Sequence, residues 1–193
     1  MAAKTHPHRF QRREARRRAT AQQAIVIGVA LLLAVLALIP LLLAQPANAE
    51  VQRAVGGQPL SDFVLNDLDG RPVRLSDYTG RPVLINAWAT WCPPCRAEMP
   101  ALHAFYQAHQ ADGLELLAIN AGEAQATAAS FITAQGFTFP VLLDPGARLL
   151  DALGIRSFPT SVLVGRDGRV KFIHIGLLDE GLLQSEILPL LGQ

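Results

Sequence analysis

Cysteine is nearly missing from this sequence: its 193 residues hold two, Cys92 and Cys95, separated by Pro93 and Pro94. With no second CxxC and no nearby histidine to complete a set of about four ligands, a structural zinc site is excluded. Covalent haem attachment is excluded as well, because Arg96 stands where a histidine would have to follow Cys95. No internal repeat is present, and no low-complexity tract beyond a basic N-terminal run. Charge is absent from residues 24–44, a run of 21. Acid is nearly absent before that run, where Lys4, Arg9, Arg12, Arg13, Arg16, Arg17 and Arg18 face Glu14 alone. No aromatic residue interleaves Arg12, Arg13, Arg16, Arg17 and Arg18, which argues against a nucleic-acid surface.

What is there explains these gaps. At about 1.5 Å per residue, the uncharged run is roughly 31 Å long, the thickness of a bilayer core. Gly28 and Pro40 within it are compatible with a membrane helix. The basic side of a span stays in the cytoplasm, so the acidic remainder is expected on the other side. The expected organisation is therefore a basic cytoplasmic tail (1–23), a transmembrane signal-anchor (24–44), a linker (45–58) containing Pro46, Gly56 and Gly57, and a folded domain (59–193). Ala47-Asn48-Ala49 also fits a cleavage site, giving the alternative of a removed signal peptide and a soluble exported domain. Either way the cysteines lie where disulfides persist.

Within the folded domain, residues 63–65 and 73–75 flank Asp69-Gly70 as a short hairpin, followed by a helical turn at 76–78. Residues 82–88, apolar apart from Asn86, predict a central strand covered on both faces. The spacing predicts a helix over 93–109, with the prolines of its first turn costing no hydrogen bond and Pro100 kinking it. Strands at 114–120 and 141–143, a helix over 124–135 ending at Gly136, and a short helix at 148–153 follow. The runs 160–164 and 170–175, joined by Gly165-Arg166-Asp167-Gly168, read as a hairpin. An amphipathic helix over 179–191 closes the chain, with Leu182, Leu183, Ile187 and Leu190 apolar. Alternating β and α, then an antiparallel hairpin, then a helix implies a mixed sheet between helical layers.

The chemistry centres on Cys92 and Cys95. A thiolate at a helix start is stabilised by free N–H groups and the macrodipole. Cys92 is expected to be exposed at the strand-to-helix corner and to attack a substrate disulfide. Cys95, one turn deeper, is expected to resolve the mixed disulfide. The same spacing also suits a permanent structural disulfide in a binding module. On spacing alone Glu98 reads as a solvated helix acid, Glu123 as a loop acid beyond a strand end, and Pro159 as trans punctuation before a strand. Trp88 reads as core and Trp91 as part of the substrate surface. His103, His109 and His174 receive no role.

These residues carry a specific resemblance. Leu75-Ser76-Asp77-Tyr78, the run from Asn86 to Cys95, Glu98-Met99-Pro100, Phe139-Pro140-Val141, Gly154-Ile155 and Phe158-Pro159-Thr160 resemble the membrane-anchored thioredoxin-like reductases of the TlpA/ResA/CcmG (DsbE-like) group. The resemblance implies an α/β thioredoxin-like fold with an N-terminal β-hairpin extension. It implies catalytic roles for Cys92, Cys95, a cis Pro159, Glu98 and Glu123, beside a substrate surface of Trp91, Pro93, Pro94, Phe158 and Thr160. No cofactor beyond the redox-active Cys92–Cys95 pair is implied. The clients implied are protein disulfides, among them the CxxCH of apocytochrome c, with a DsbD/CcdA-type membrane electron donor. Thr160 stands where CcmG-type proteins carry an acid, which leans toward the ResA/TlpA side. A DsbA-like oxidant is the alternative enzyme; it lacks support because no extra helical domain interrupts the order. A peroxiredoxin is disfavoured, since its reactive cysteine does without a CxxC partner.

Overall fold

The computed structural model describes residues 57–193; the expected tail, the 24–44 span and the linker up to residue 56 lie outside the described residues. Among the described residues, no helix is long and apolar enough to cross a membrane.

Seven strands form one mixed sheet in the order β2-β1-β5-β4-β3-β6-β7. The expected N-terminal hairpin is β1 (Val64–Asp67) and β2 (Pro72–Arg74), antiparallel, and a 3-10 turn at Leu75–Tyr78 follows. All six residues of β3 (Val83–Trp88) are buried, as a continuous apolar run in the middle of a sheet requires. It runs parallel to β4 (Glu115–Ala121), which is parallel in turn to β5 (Val141–Asp144). These parallel steps are bridged by α1 (Pro93–His109) and α2 (Gln125–Gln135). The α2 helix ends where Gly136 takes a left-handed φ of 70°. A short α3 (Arg148–Ala152) leads to the antiparallel pair β6 (Thr160–Val164) and β7 (Val170–Ile175), with β6 antiparallel to β3.

Alternation along β3 divides the core. Leu84 and Trp88 face Met99, Leu102 and Phe105 of α1 together with Leu183 and Ile187 near the C-terminus. Val83, Ile85 and Ala87 face Phe63, Leu75, Leu150 and Ile155 on the other side. Burying a side chain such as Trp88 or Leu84 contributes about 1.5–3 kcal/mol, so this double-sided strand is the firmest part of the frame that carries the cysteines.

One expectation changes. The closing helix is not regular: α4 (Glu180–Leu182) passes into a π turn at Leu183–Ile187 and a 3-10 turn at Leu188–Leu190. Pro189, which lacks the N–H an α-helix needs, lies in that last segment. Leu183, Ile187 and Leu191 are the buried residues there, while Leu182 and Leu190 are only half-buried. Backbone pairing also reaches the edge of the folded region. Gly57 N–H donates to Val170 O (2.7 Å), Val170 N–H to Gln58 O (2.9 Å) and Leu60 N–H to Gly168 O (3.1 Å), so backbone pairing already holds the two residues before Pro59.

Candidate active site

The strand β3 ends at Trp88, and α1 begins at Pro93 after four intervening residues. Cys92 is the N-cap of α1, with extended backbone (φ −94°, ψ 104°). Pro93 and Pro94 fill the first two helical positions and have no N–H to offer. The first available donor is the Cys95 N–H, and it points at Cys92 Sγ at 3.3 Å. The sulfur thus takes the place of a capping oxygen, at the positive end of a 17-residue helix.

Cys92 and Cys95 form a disulfide, with Cα atoms 5.3 Å apart. Cys92 is not exposed as expected: it is 3% accessible, because its bonded sulfur turns inward onto Cys95, which is wholly buried. The exposed neighbours are Pro93, Pro94 and Trp91, the last 63% accessible. Trp91 meets Phe158 edge to face at 5.9 Å between centroids. The Phe158–Pro159 peptide is cis, and Pro159 is buried with its carbonyl accepting from Gly176 N–H at 2.9 Å. Thr160 does not present its side chain to solvent: it is 3% accessible and its hydroxyl donates to Ser157 O at 2.7 Å. The turn before β6 needs that hydroxyl internally.

Glu98 departs furthest from what its spacing alone indicates. It is 1% accessible, on the face of α1 that also buries Cys95, Met99 and Leu102. Asn86 Nδ2 donates to its Oε1 at 2.7 Å, and the Leu178 N–H donates to its Oε2 at 2.7 Å. Burial pushes its carboxyl up to about 7, against the smaller opposing effects of the Leu178 and Asn86 hydrogen bonds. A carboxyl poised there changes charge near neutrality.

Glu123 has a different environment. Thr90 donates to it through both its N–H (Oε2, 2.7 Å) and its hydroxyl (Oε1), and Asn120 Nδ2 adds a bond to Oε2 at 2.8 Å. Burial alone would raise its carboxyl, but the Thr90 and Asn120 donors outweigh it and hold the group below its ordinary value. It therefore stays a carboxylate and clamps Thr90, two residues before Cys92.

Asn86, Ser161, Thr90, Asn120 and the Leu178 N–H are the site groups that sequence reasoning does not assign. Asn86 leaves a trace, as the lone polar residue in an otherwise apolar strand. A backbone N–H such as that of Leu178 leaves none.

A cysteine pair capping the helix after β3, a cis proline leading into the neighbouring β6 and a mixed sheet behind both define a thioredoxin-like thiol–disulfide oxidoreductase. The chain belongs to the AhpC/TSA family, whose model matches residues 56–173. It is 38% identical over 157 residues to the thiol-disulfide oxidoreductase ResA of Geobacillus thermodenitrificans, covering 81% of this chain and 90% of that one. Among solved structures it is similar to a protein of Chlorobium tepidum assigned as the thiol:disulfide interchange protein DsbE (33% identity, TM-score 0.67, 71% of this chain and 98% of that one). It is also similar to StoA from Bacillus subtilis (29% identity, TM-score 0.57, 67% and 97%).

Proposed function

We propose that this enzyme works as a reductant of protein disulfides outside the cytoplasm, held to the membrane by residues 24–44. The observation that carries the reading is Glu98: a buried carboxyl, on the same helix and the same buried face as the resolving cysteine, poised at about 7. An attacking Cys92 thiolate displaces one sulfur of a substrate disulfide as a thiolate and forms a mixed disulfide. Cys95 then loses its proton and attacks Cys92 Sγ, releasing the second substrate thiol. Two electrons pass to the substrate and the Cys92–Cys95 disulfide remains. Glu98, as carboxylate, is the acceptor for the Cys95 proton. The disulfide pair is the whole redox centre, with no further cofactor.

Trp91, Pro93, Pro94 and Phe158 form the apolar face on which the substrate chain docks, beside Pro159. The client that best fits the resemblance is the CxxCH disulfide of apocytochrome c, with a DsbD/CcdA-type membrane protein returning the electrons. The test is a trap. Cys95→Ala leaves Cys92 unable to be released and should accumulate client as a mixed disulfide. Recovery of apocytochrome c, with loss of c-type cytochromes on deletion, is the expected result. Recovery of other clients with normal cytochromes overturns that client assignment. A strongly oxidising equilibrium with glutathione would instead favour the DsbA-like direction.

A further inference from the structure

Glu98 is reached from the protein surface through a single peptide group. The Leu178 N–H that donates to Glu98 Oε2 (2.7 Å) belongs to the same peptide plane as the Leu177 carbonyl. That carbonyl lies 3.1 Å from His174 Nε2. A carbonyl oxygen only accepts, so Nε2 carries the proton and donates. A chain of two hydrogen bonds therefore runs from the His174 imidazole, across one peptide, to the buried carboxylate.

The surrounding structure holds this chain in place. In the sheet, Asn86 pairs with Ser161 and Ser161 with His174, one row across β3, β6 and β7. Asn86 Nδ2 bonds both Ser161 Oγ (3.0 Å) and Glu98 Oε1 (2.7 Å), so the row meets the acid at one end directly and at the other through the peptide. The His174 ring stacks on Phe172 (6.1 Å, 8°), which fixes its plane. Gly176, at φ 113° and bonded to Pro159 O, makes the turn that aims the Leu177–Leu178 peptide inward. Asp179 next along caps α4 through the Leu182 N–H.

We propose that His174 is a positioning residue for Glu98, acting through the Leu177–Leu178 peptide to hold and polarise the N–H that binds the carboxylate. Hydrogen bonds in series strengthen one another, so a donor on the carbonyl makes the N–H a better partner for negative charge. Removing that donor weakens the carboxylate's hold and favours the protonated acid. The groups that face Glu98 are Asn86 from β3 and the Leu178 N–H from the loop before α4; on its own helix the nearest redox group is Cys95.

The relevance of this to catalysis rests on the proposed role of Glu98, so the test reads Glu98 itself. Carboxyl carbon NMR on the oxidised full-length chain in detergent gives the Glu98 titration midpoint directly. His174→Phe keeps an aromatic ring over Phe172 and removes the donor; the midpoint should rise by about half a pH unit or more. His174→Gln restores an N–H and should return the midpoint toward the native value. An unchanged midpoint in folded His174→Phe overturns the proposal. A second reading needs no variant: imidazole nitrogen shifts of the native protein should show His174 protonated on Nε2, and an Nδ1–H tautomer overturns it as well. If Glu98→Gln leaves the thiol chemistry unchanged, the catalytic role of Glu98 fails while the His174 link stands or falls on the midpoint alone.

Discussion

Asn86 Oδ1 and Trp88 Nε1 are, among the described residues, buried side-chain polar atoms without a hydrogen-bond partner. An orphaned acceptor beside a titrating acid has a direct use. With Glu98 ionised, the Asn86 amide donates to Glu98 and to Ser161. Turning the amide by half a turn presents Oδ1 to both, and both bonds can reverse: a protonated Glu98 and the Ser161 hydroxyl become donors. One side chain thus serves either charge state. Asn86→Val removes this partner and should raise the Glu98 midpoint above about 7, with a stability loss of about 1–3 kcal/mol in denaturant titrations. In the reduced enzyme, the pH profile of thiol alkylation should carry an inflection near 7 that Glu98→Gln abolishes. At Glu123, conversion to Gln puts an amide N–H₂ where Thr90 and Asn120 now donate; a loss of about 1–2 kcal/mol is expected by denaturant unfolding. Neither environment was legible in the chain. Spacing puts Glu98 on a helix, but its burial depends on β3 and on a loop 80 residues away.

The α1 helix shows what a sequence does disclose. Its bounds follow from local signals: paired prolines at the start, Asp112-Gly113 beyond the end, apolar spacing between. The same prolines also limit its chemistry. A helix start normally offers several free N–H groups, and here Cys95 supplies the first of them. Pro94→Ala adds a donor at the second helical position, aimed at the capping sulfur. The Cys92 thiolate should gain stability, and the reduction potential should rise on the order of 30 mV, tenfold in the exchange constant with a dithiol reference. An unchanged or more reducing potential counts against thiolate capping by this helix. The C-terminal segment shows the opposite limit. Its apolar residues match a helical face, yet Pro189 and packing against the core convert most of it to π and 3-10 turns. Periodicity records which residues are buried more faithfully than it records how the backbone winds between them.

For the whole molecule, Glu98 couples folding to pH. Its carboxyl sits at about 7 in the fold against an ordinary 4.5, so between those values the folded state binds more protons than the unfolded chain. The stabilisation of the oxidised protein is fully present below pH 4.5 and is lost as pH rises through 7, by up to roughly 3 kcal/mol. Thermal unfolding midpoints should fall over that window in the native protein and flatten in Glu98→Gln. The architecture was the most legible level, because the strand and helix order of an α/β sheet is written in local runs, whereas the meeting of Trp91 with Phe158 depends on the chain returning over 60 residues later. That return also gives the molecule two poles. Gly57 and Gln58 pair with Val170 at the start of β7, next to Val164 and then Val83 across the sheet, while Cys92 lies beyond the far end of β3. With six residues at about 3.3 Å each, β3 alone separates the two by some 20 Å. Force applied at Gly57 therefore loads the end of the sheet away from the disulfide, and a change made at that edge leaves the two sulfurs untouched.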